Sequence, residues 1–278
     1  MHSNKSIIVV AGSKSSVGAV EIYDFCQNKS IECSIHTLDD PSLPPLLDNN
    51  FRKAIYRIGP KSFDAYQNTL LPRLPNEDAK KGLVNVINAF DKTISAVILQ
   101  NSDIAVPNTT IINASSDLEN LSLPIVIKVG VGNQGAGVYL VRTMDELNNT
   151  VNELLKTSTA CVAQEYVEES KGSDKRLFVI AGKVVAAMQR TANTGDFRAN
   201  LHLGGSAKNY IPSELESALA LRATKAHDLL YAGVDIIDSN RGPLVLEVNP
   251  SPGFAISKIT GVDIISELVS KLKGEEYD

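Results

Sequence analysis

Asp235, Glu247 and Asn249 are the residues whose types and spacing point most directly to chemistry. In the run Leu244-Val245-Leu246-Glu247-Val248-Asn249, polar and apolar residues alternate as on a half-buried strand. Side chains two apart on a strand share a face. Glu247 and Asn249 therefore point one way, and Leu244, Leu246 and Val248 are expected to face a core. Upstream, AGVDIID reads as a second strand with the Asp235 carboxylate among apolar neighbours, and SNRGP between the two is dense in turn formers. The pair reads as a β-hairpin. A five-residue loop over 239–243 sets Asp235 opposite Glu247, whereas a loop of even length turns it away. Two opposed carboxylates repel unless a cation lies between them. With the Asn249 amide oxygen they form a hard, all-oxygen donor set suited to Mg²⁺ or Mn²⁺, and an incomplete protein shell is typical of Mg²⁺ that also binds nucleotide phosphates.

A glycine cluster supplies a second signal. GVGNQG, with Gly130, Gly132 and Gly135, matches the dinucleotide pattern G-x-G-x-x-G. That fingerprint needs a helix opening from the loop, because the helix N-terminus holds the pyrophosphate. Here a second strand, GVYLV, follows, so the segment reads as a hairpin flap. Such a flap can lay backbone N–H groups over phosphates, or it can be a plain surface hairpin. Lys128 ends the strand before it and can reach a phosphate as a point charge, or stay solvated. The run GSKSS over 12–16 mimics half a P-loop. The rest of the Walker pattern is missing, so it reads as a strand–helix turn.

The elements that must position these groups are legible along the chain. Its 278 residues are enough for two or three packed units. A net charge of −5 and the absence of Trp argue against nucleic-acid binding by bulk charge or base stacking. Cys26, Cys33 and Cys161 lack metal spacing and read as reduced thiols of a cytoplasmic protein. No run reaches membrane-spanning length, and IIVVAG is too short for a signal peptide. The first unit, 1–88, alternates strands (SIIVVAG, ECSIHTL, KAIYRIG) with the helix VGAVEIYDFCQN, which implies a parallel sheet punctuated by Pro41, Pro44 and Pro45. A middle α+β unit, 89–164, follows helices near 77–90 and 92–101 and carries the glycine flap. Its helix after Thr143 opens with the Thr143/Glu146 relation of a capping box. The last unit, 165–278, reads as mostly antiparallel, with a hairpin turning at Ala181-Gly182 and helices over SELESALALRATKAHDLLY and DIISELVSKLKG.

Together VIKVGVGNQGAGV, AQEYVEESKGSDKR, VVAAMQR, GDFRANLHLGG, AGVDII and GPLVLEVNPSPG resemble the ATP-grasp fold, and within it the RimK-like α-L-glutamate ligases, from about Lys92 to Asp263. YRIG, at Tyr56 to Gly59, carries the likeness weakly into the first unit. The resemblance implies an ATP-grasp fold: an N-terminal Rossmann-like α/β domain, a central lid subdomain and a C-terminal antiparallel-sheet subdomain. It implies that Lys92, Lys128 and the flap residues Gly132, Gln134 and Gly135 meet ATP phosphates. Gln164, Glu165, Tyr166 and Val167 would form a hinge whose backbone reads adenine, and Glu165 or Asp174 would meet the ribose. Asp235, Glu247 and Asn249 would hold Mg²⁺ or Mn²⁺, and Arg190, Arg198 and Asn200 would face the acyl phosphate and incoming substrate.

Blander readings stand beside these. Asp174 and Arg190 can be a cross-strand salt bridge, His202 a structural histidine, Lys171 and Lys175 solvated charges, and Arg57 either a substrate contact or, like Arg73, a surface residue. The implied reaction is ATP-dependent carboxylate–amine ligation through an acylphosphate. Its partners would be ATP, an amino acid and a carboxylate acceptor: a peptide, a protein C-terminus or a small molecule. No nucleic acid or membrane is expected, and a homo-oligomer (dimer or tetramer) is. Glutamate ligases of this group commonly have a second arginine where this chain has Thr191, and an arginine where it has Leu203. A neutral amino acid or a different acceptor is therefore credible. A small-molecule ligase and a regulatory nucleotide-binding module are the other readings.

Overall fold

The computed structural model describes residues 6–50, 54–59, 66–74, 76–131, 137–157, 160–199 and 204–274, with side chains of 48–50 excepted. Three sheets organise it. The first is parallel, in the order β2-β1-β3, from β1 (Ile7–Ala11), β2 (Cys33–His36) and β3 (Ala54–Arg57). Every residue of IIVVA is buried, as expected of a central parallel strand covered on both faces. Ile7, Val9 and Ala11 join one core cluster, Ile8 and Val10 another. Between these strands run α1 (Val17–Asn28) and α2 (Leu43–Asn50). Pro44 and Pro45, which read as punctuation in the sequence, fall in the first turn of α2. There a missing N–H costs nothing and a fixed φ favours the helix.

Next come α3 (Glu77–Phe90) and α4 (Lys92–Asn101), capped by Asn76 and by Asp91, whose Oδ1 accepts from the Thr93 and Ile94 amides. The 88/89 division expected from sequence falls inside α3. The second sheet is antiparallel, in the order β4-β7-β5-β6, from β4 (Thr109–Ile112), β5 (Ile125–Val129), β6 (Val138–Val141) and β7 (Cys161–Glu165). β5 and β6 pair directly, Lys128 against Val138, so the glycine segment does join two strands and opens no helix. The expected capping box holds at α5 (Met144–Leu155): Thr143 Oγ1 accepts from the Glu146 amide and Glu146 accepts from the Thr143 amide.

The third sheet, in the order β10-β9-β8-β11-β12, is antiparallel throughout. It comprises β8 (Ser173–Ile180), β9 (Lys183–Thr191), β10 (Ser206–Asn209), β11 (Tyr231–Ile237) and β12 (Leu244–Asn249). β8 and β9 turn at Ala181-Gly182, both at positive φ, where the sequence placed the turn. The helix α6 (Glu214–Ala226) covers one face, and α7 (Ile256–Thr260) and α8 (Ile264–Lys273) follow β12. The inward face of β1 shares its core with Phe178, Ile180 and Phe254, so the parallel sheet packs against the third sheet rather than standing apart.

The β11–β12 hairpin holds a correction. Ile237 pairs with Leu244, leaving a six-residue turn in place of the expected five, and on parity alone that would turn Asp235 away from Glu247. The register shifts by one between Ile236 and Asp235: Ile236 faces Val245, Asp235 faces Glu247, and Leu246 is the extra residue of a bulge. The bulge restores the carboxylate pair and breaks the alternation expected for β12. Val245 and Val248 sit in the core under α6, while Leu246 joins Leu244, Val167 and Ile237 in a separate cluster and lines the cleft beside Glu247.

Candidate active site

A cleft of about 430 Å³ lies between the second and third sheets and reaches the C-terminal end of β3. One wall is a face of the second sheet, with Val126, Lys128, Val138, Val162 and Gln164. The other carries Asp174, Arg176, Arg190, Asp235, Glu247 and Asn249. Lys92, at the start of α4, lies between them. Its amide donates to Gly130 O, and Asp91 pairs with Val131, so the first residues of the glycine segment are docked on that helix start.

Strand register explains the polar wall. Asp174 faces Arg190 across β8–β9, Arg176 faces Asp235 across β8–β11, and Asp235 faces Glu247 across β11–β12. Arg190 grips Asp174 through two bonds of 2.6 and 2.7 Å and reaches Asp235 Oδ2 at 2.6 Å. Arg176 grips Asp235 through bonds of 2.6 and 2.7 Å. Burial favours the neutral acid at Asp235, yet the two guanidinium groups outweigh it and hold the carboxyl below its ordinary range. At Asp174 burial wins over Arg190 and, with Asp235 nearby, pushes the carboxyl up to about 6. Each cross-strand pair in this row matches opposite charges except Asp235 and Glu247, which are alike. Glu247 has no hydrogen-bond or ion-pair partner among the described residues. It stabilises the charge of Lys128 on the facing wall.

Lys128 is buried, and its Nζ donates to Gln164 Oε1 at 2.6 Å. Burial pushes the ammonium down to about 8, with Glu247 and Asp235 pulling it up and Lys92 pushing it further down. Leu99, Val106, Val126, Val162, Ile237 and Leu246 supply the cleft's apolar lining, with Val162 cross-strand from Lys128 and Val126 cross-strand from Gln164. Glu165 is held by Arg241 at 2.6 Å and by the Asn108 amide. The Val167 carbonyl, expected to be open for base recognition, is taken by Ser170 through both its amide and its hydroxyl. Arg198 lines the cleft and pairs with Asp196. Ser251 N donates to Asn249 Oδ1 at 3.0 Å, which fixes the amide.

The structure brings Lys92, Lys128, Gln164, Glu165, Tyr166, Val167, Asp174, Arg190, Arg198, Asp235, Glu247 and Asn249 into one cleft. Gly132, Gln134, Gly135, Asn200, His202 and Leu203 lie outside the described residues. Lys175 is corrected: it is buried and bonded to Glu216 at 2.7 Å and Asp238 at 2.6 Å, because its side chain faces α6 and not water. Lys171 is exposed as expected. Thr191 is exposed and does not line the cleft. Sequence reasoning missed Arg176, although its spacing of two from Asp174 already put both on one face. It also missed the buried pair of Ser95, on the cleft, and His227, 2.8 Å apart.

In type and register these are the donors a hard divalent cation takes, with Asp235 and Glu247 opposed and Asn249 on the same side, while both Asp235 oxygens are bonded to Arg176 and Arg190. The model of the RimK-like ATP-grasp domain matches residues 89–272. The chain belongs to the RimK-like ATP-grasp family. Curated relatives of the family agree. A probable alpha-L-glutamate ligase of Shewanella pealeana is 39% identical over 194 residues, 68% of this chain and 42% of its own length. A probable alpha-L-glutamate ligase 1 of Shewanella sp. (strain W3-18-1) is 38% identical over 196 residues, 68% of this chain and 65% of its own. The match thus spans between two fifths and two thirds of these relatives. Among solved structures, D-cycloserine synthetase DcsG superposes with a TM-score of 0.73 at 18% identity, covering 96% of this chain and 99% of that one. The ATP-grasp ligase PsnB complexed with minimal precursor gives 0.70 at 19%, covering 98% and 100%. The D-alanine–D-alanine ligase of Bacillus anthracis complexed with ATP gives 0.68 at 21%, covering 98% and 100%. The fold is ATP-grasp.

Proposed function

We propose that this protein is an ATP-dependent carboxylate–amine ligase that forms an amide bond through an acylphosphate. The observation that carries this is the like-charged Asp235–Glu247 pair facing Lys128 across a cleft that also has apolar lining from both walls. The base of ATP would lie against the apolar lining, with Val126 and Val162 from one wall and Ile237 and Leu246 from the other. The triphosphate then runs toward Lys92 and Lys128, whose charges offset its own. Asp235, Glu247 and Asn249 would hold Mg²⁺, which supplies neutralisation of charge on the phosphates when bound. A substrate carboxylate oxygen attacks the γ-phosphorus, the bond to the bridging oxygen breaks, and ADP leaves. An amine then attacks the acyl carbon, loses a proton, and expels phosphate. Arg198, which lines the cleft paired with Asp196, would stabilise the oxyanion and the departing phosphate. In the finer reading an amino acid, glutamate as in the names of the relatives or another, is joined to a peptide or protein C-terminal carboxylate, the acceptor that the family resemblance implies. We keep the three units expected from the sequence, with the 88/89 and 164/165 bounds moved off α3 and β7, which they cut; the last two units would close on the nucleotide.

ADP release across a matrix of amino acids and carboxylates tests the function, with hydroxylamine present to trap the acylphosphate as a hydroxamate. Glu247→Gln is expected to lower turnover at least about a hundredfold while its far-UV spectrum stays unchanged. Near-normal ligation by that variant would sink the cation assignment. Product formed with no trapped hydroxamate would remove the acylphosphate. A matrix in which only small-molecule carboxylates respond would replace the peptide acceptor by a metabolite.

A further inference from the structure

Beyond the nucleotide, the cleft continues past Asn249 along Pro250, Ser251 and Gly253 to Arg57, the last residue of β3. In an order of β2-β1-β3, the C-terminal ends of β1 and β3 meet where the connections diverge, the usual crevice for ligands in a parallel sheet. Arg57 is built into that spot. Its Nη1 donates to Pro252 O at 2.8 Å, its guanidinium lies 4.5 Å from the Phe254 ring centre, and it bonds the Tyr231 hydroxyl, which itself donates to Tyr56 O. On its other side it packs directly on Gly18, where a Cβ would come within 2.5 Å of Nη2. The fork is therefore held before any ligand arrives.

Its charge, unlike those of the neighbouring arginines, is uncompensated. Arg176 and Arg190 are shared between Asp174 and Asp235, and Arg198 pairs with Asp196. Arg57 has no carboxylate partner among the described residues. A fixed, half-buried guanidinium with free N–H groups matches a carboxylate in shape and charge. The carboxylate that reacts must lie by the phosphates, at the other end of this run.

We infer that Arg57 is the residue that anchors the unreacted carboxylate of the amino acid whose amine takes part in the ligation. This rests on the ligase reading above. An amino acid held there by its carboxylate presents its amine toward the acyl carbon. A simple amine, or the amino-acid amide, leaves the guanidinium unpaired.

The test compares free amino acids with their carboxamides, in wild type and in Arg57→Gln and Arg57→Lys. ADP release is one readout; calorimetric binding in the presence of a non-hydrolysable ATP analogue and Mg²⁺ is the other. Wild type is expected to favour the free acid about thirtyfold or more in kcat/KM. Arg57→Gln should bring the acid-to-amide ratio near one with nucleotide affinity unchanged, and Arg57→Lys should keep part of it. A role confined to clamping Pro252 and Phe254 would lower thermal stability and leave the ratio intact, which overturns the inference. A wild type that binds acid and amide alike also overturns it. If wild type releases no ADP with any amino acid, the ligase reading fails separately, and loss of free-acid binding in Arg57→Gln still decides for or against the anchor.

Discussion

At the scale of single residues, most of the charges on the cleft's polar wall are paired off. Asp174, Arg190, Arg176 and Asp235 neutralise one another, and Lys128 is left to answer Glu247. With its ammonium pushed down to about 8, Lys128 carries its full burial cost wherever it is charged in both folded and unfolded chains, below that pH. Between about 8 and its ordinary value of 10.5 the unfolded chain holds more protons, so stability rises with pH across that window and is level above it. An arriving triphosphate favours the charged form. ATP binding at pH 8.5 is therefore expected to take up as much as ~0.7 of a proton. Calorimetry in buffers of different ionisation enthalpy reads this directly; enthalpies that do not depend on the buffer would disprove phosphate contact by Lys128. The identities of Asp235, Glu247, Asn249 and Lys128 as a set were legible in sequence because strand alternation fixes faces. Their occupations were not. That Arg176 and Arg190 would share Asp235 depends on which strands neighbour β8, and nothing local encodes it.

At the scale of elements, β8 is the spine of the site. Asp174 and Arg176 point into the cleft, and Lys175 between them points the other way, to the buried Glu216, the exposed Asp238 and the half-buried Tyr210. Glu216 also caps α6 through Ser213, so Lys175 ties the strand to the helix behind it. Lys175→Met leaves the buried Glu216 carboxylate without its cation and is expected to cost about 3 kcal/mol, read from urea unfolding. A loss under about 1 kcal/mol would mean that the network contributes no more than a surface pair. On the facing sheet, Gly137 has φ +70°, and a Cβ there would come within 2.4 Å of Val129. Gly137→Ala should destabilise by about 2 kcal/mol and weaken nucleotide binding; unchanged affinity would show that the flap does not need this turn. Helices and capping boxes were readable in advance because their signals lie within four residues. The hairpin bulge was not, because it is set by packing under α6 and beside Val167, far away in sequence.

At the scale of the molecule, a chain of net charge −5 surrounds a cleft lined by six Lys and Arg side chains and four carboxylates. Surplus positive charge in a low-dielectric cleft focuses the field and draws in polyanions. The association rate of a fluorescent ATP analogue is expected to fall about tenfold from low to physiological salt in stopped-flow measurements; a flat salt dependence would show that the cleft does not steer. Most of the order of strands and helices followed from the sequence, as did the unlike characters of the three sheets, but α2, hidden behind its prolines, and the short β10 and α7 did not. The packing of the parallel sheet onto the third sheet, which brings Arg57 to the cleft, did not, since Ile7, Val9 and Phe254 carry no mark of each other. The bulge at Leu246 has a further consequence, for inheritance. Asp235 takes its place from β8, and Glu247 from the bulge, so neither depends on the turn 238–243. Residues can be gained or lost in that turn over generations while the cleft stays as it is. The loss of one residue between Val245 and Val248 instead exchanges the faces of the strand and silences the site in a single step.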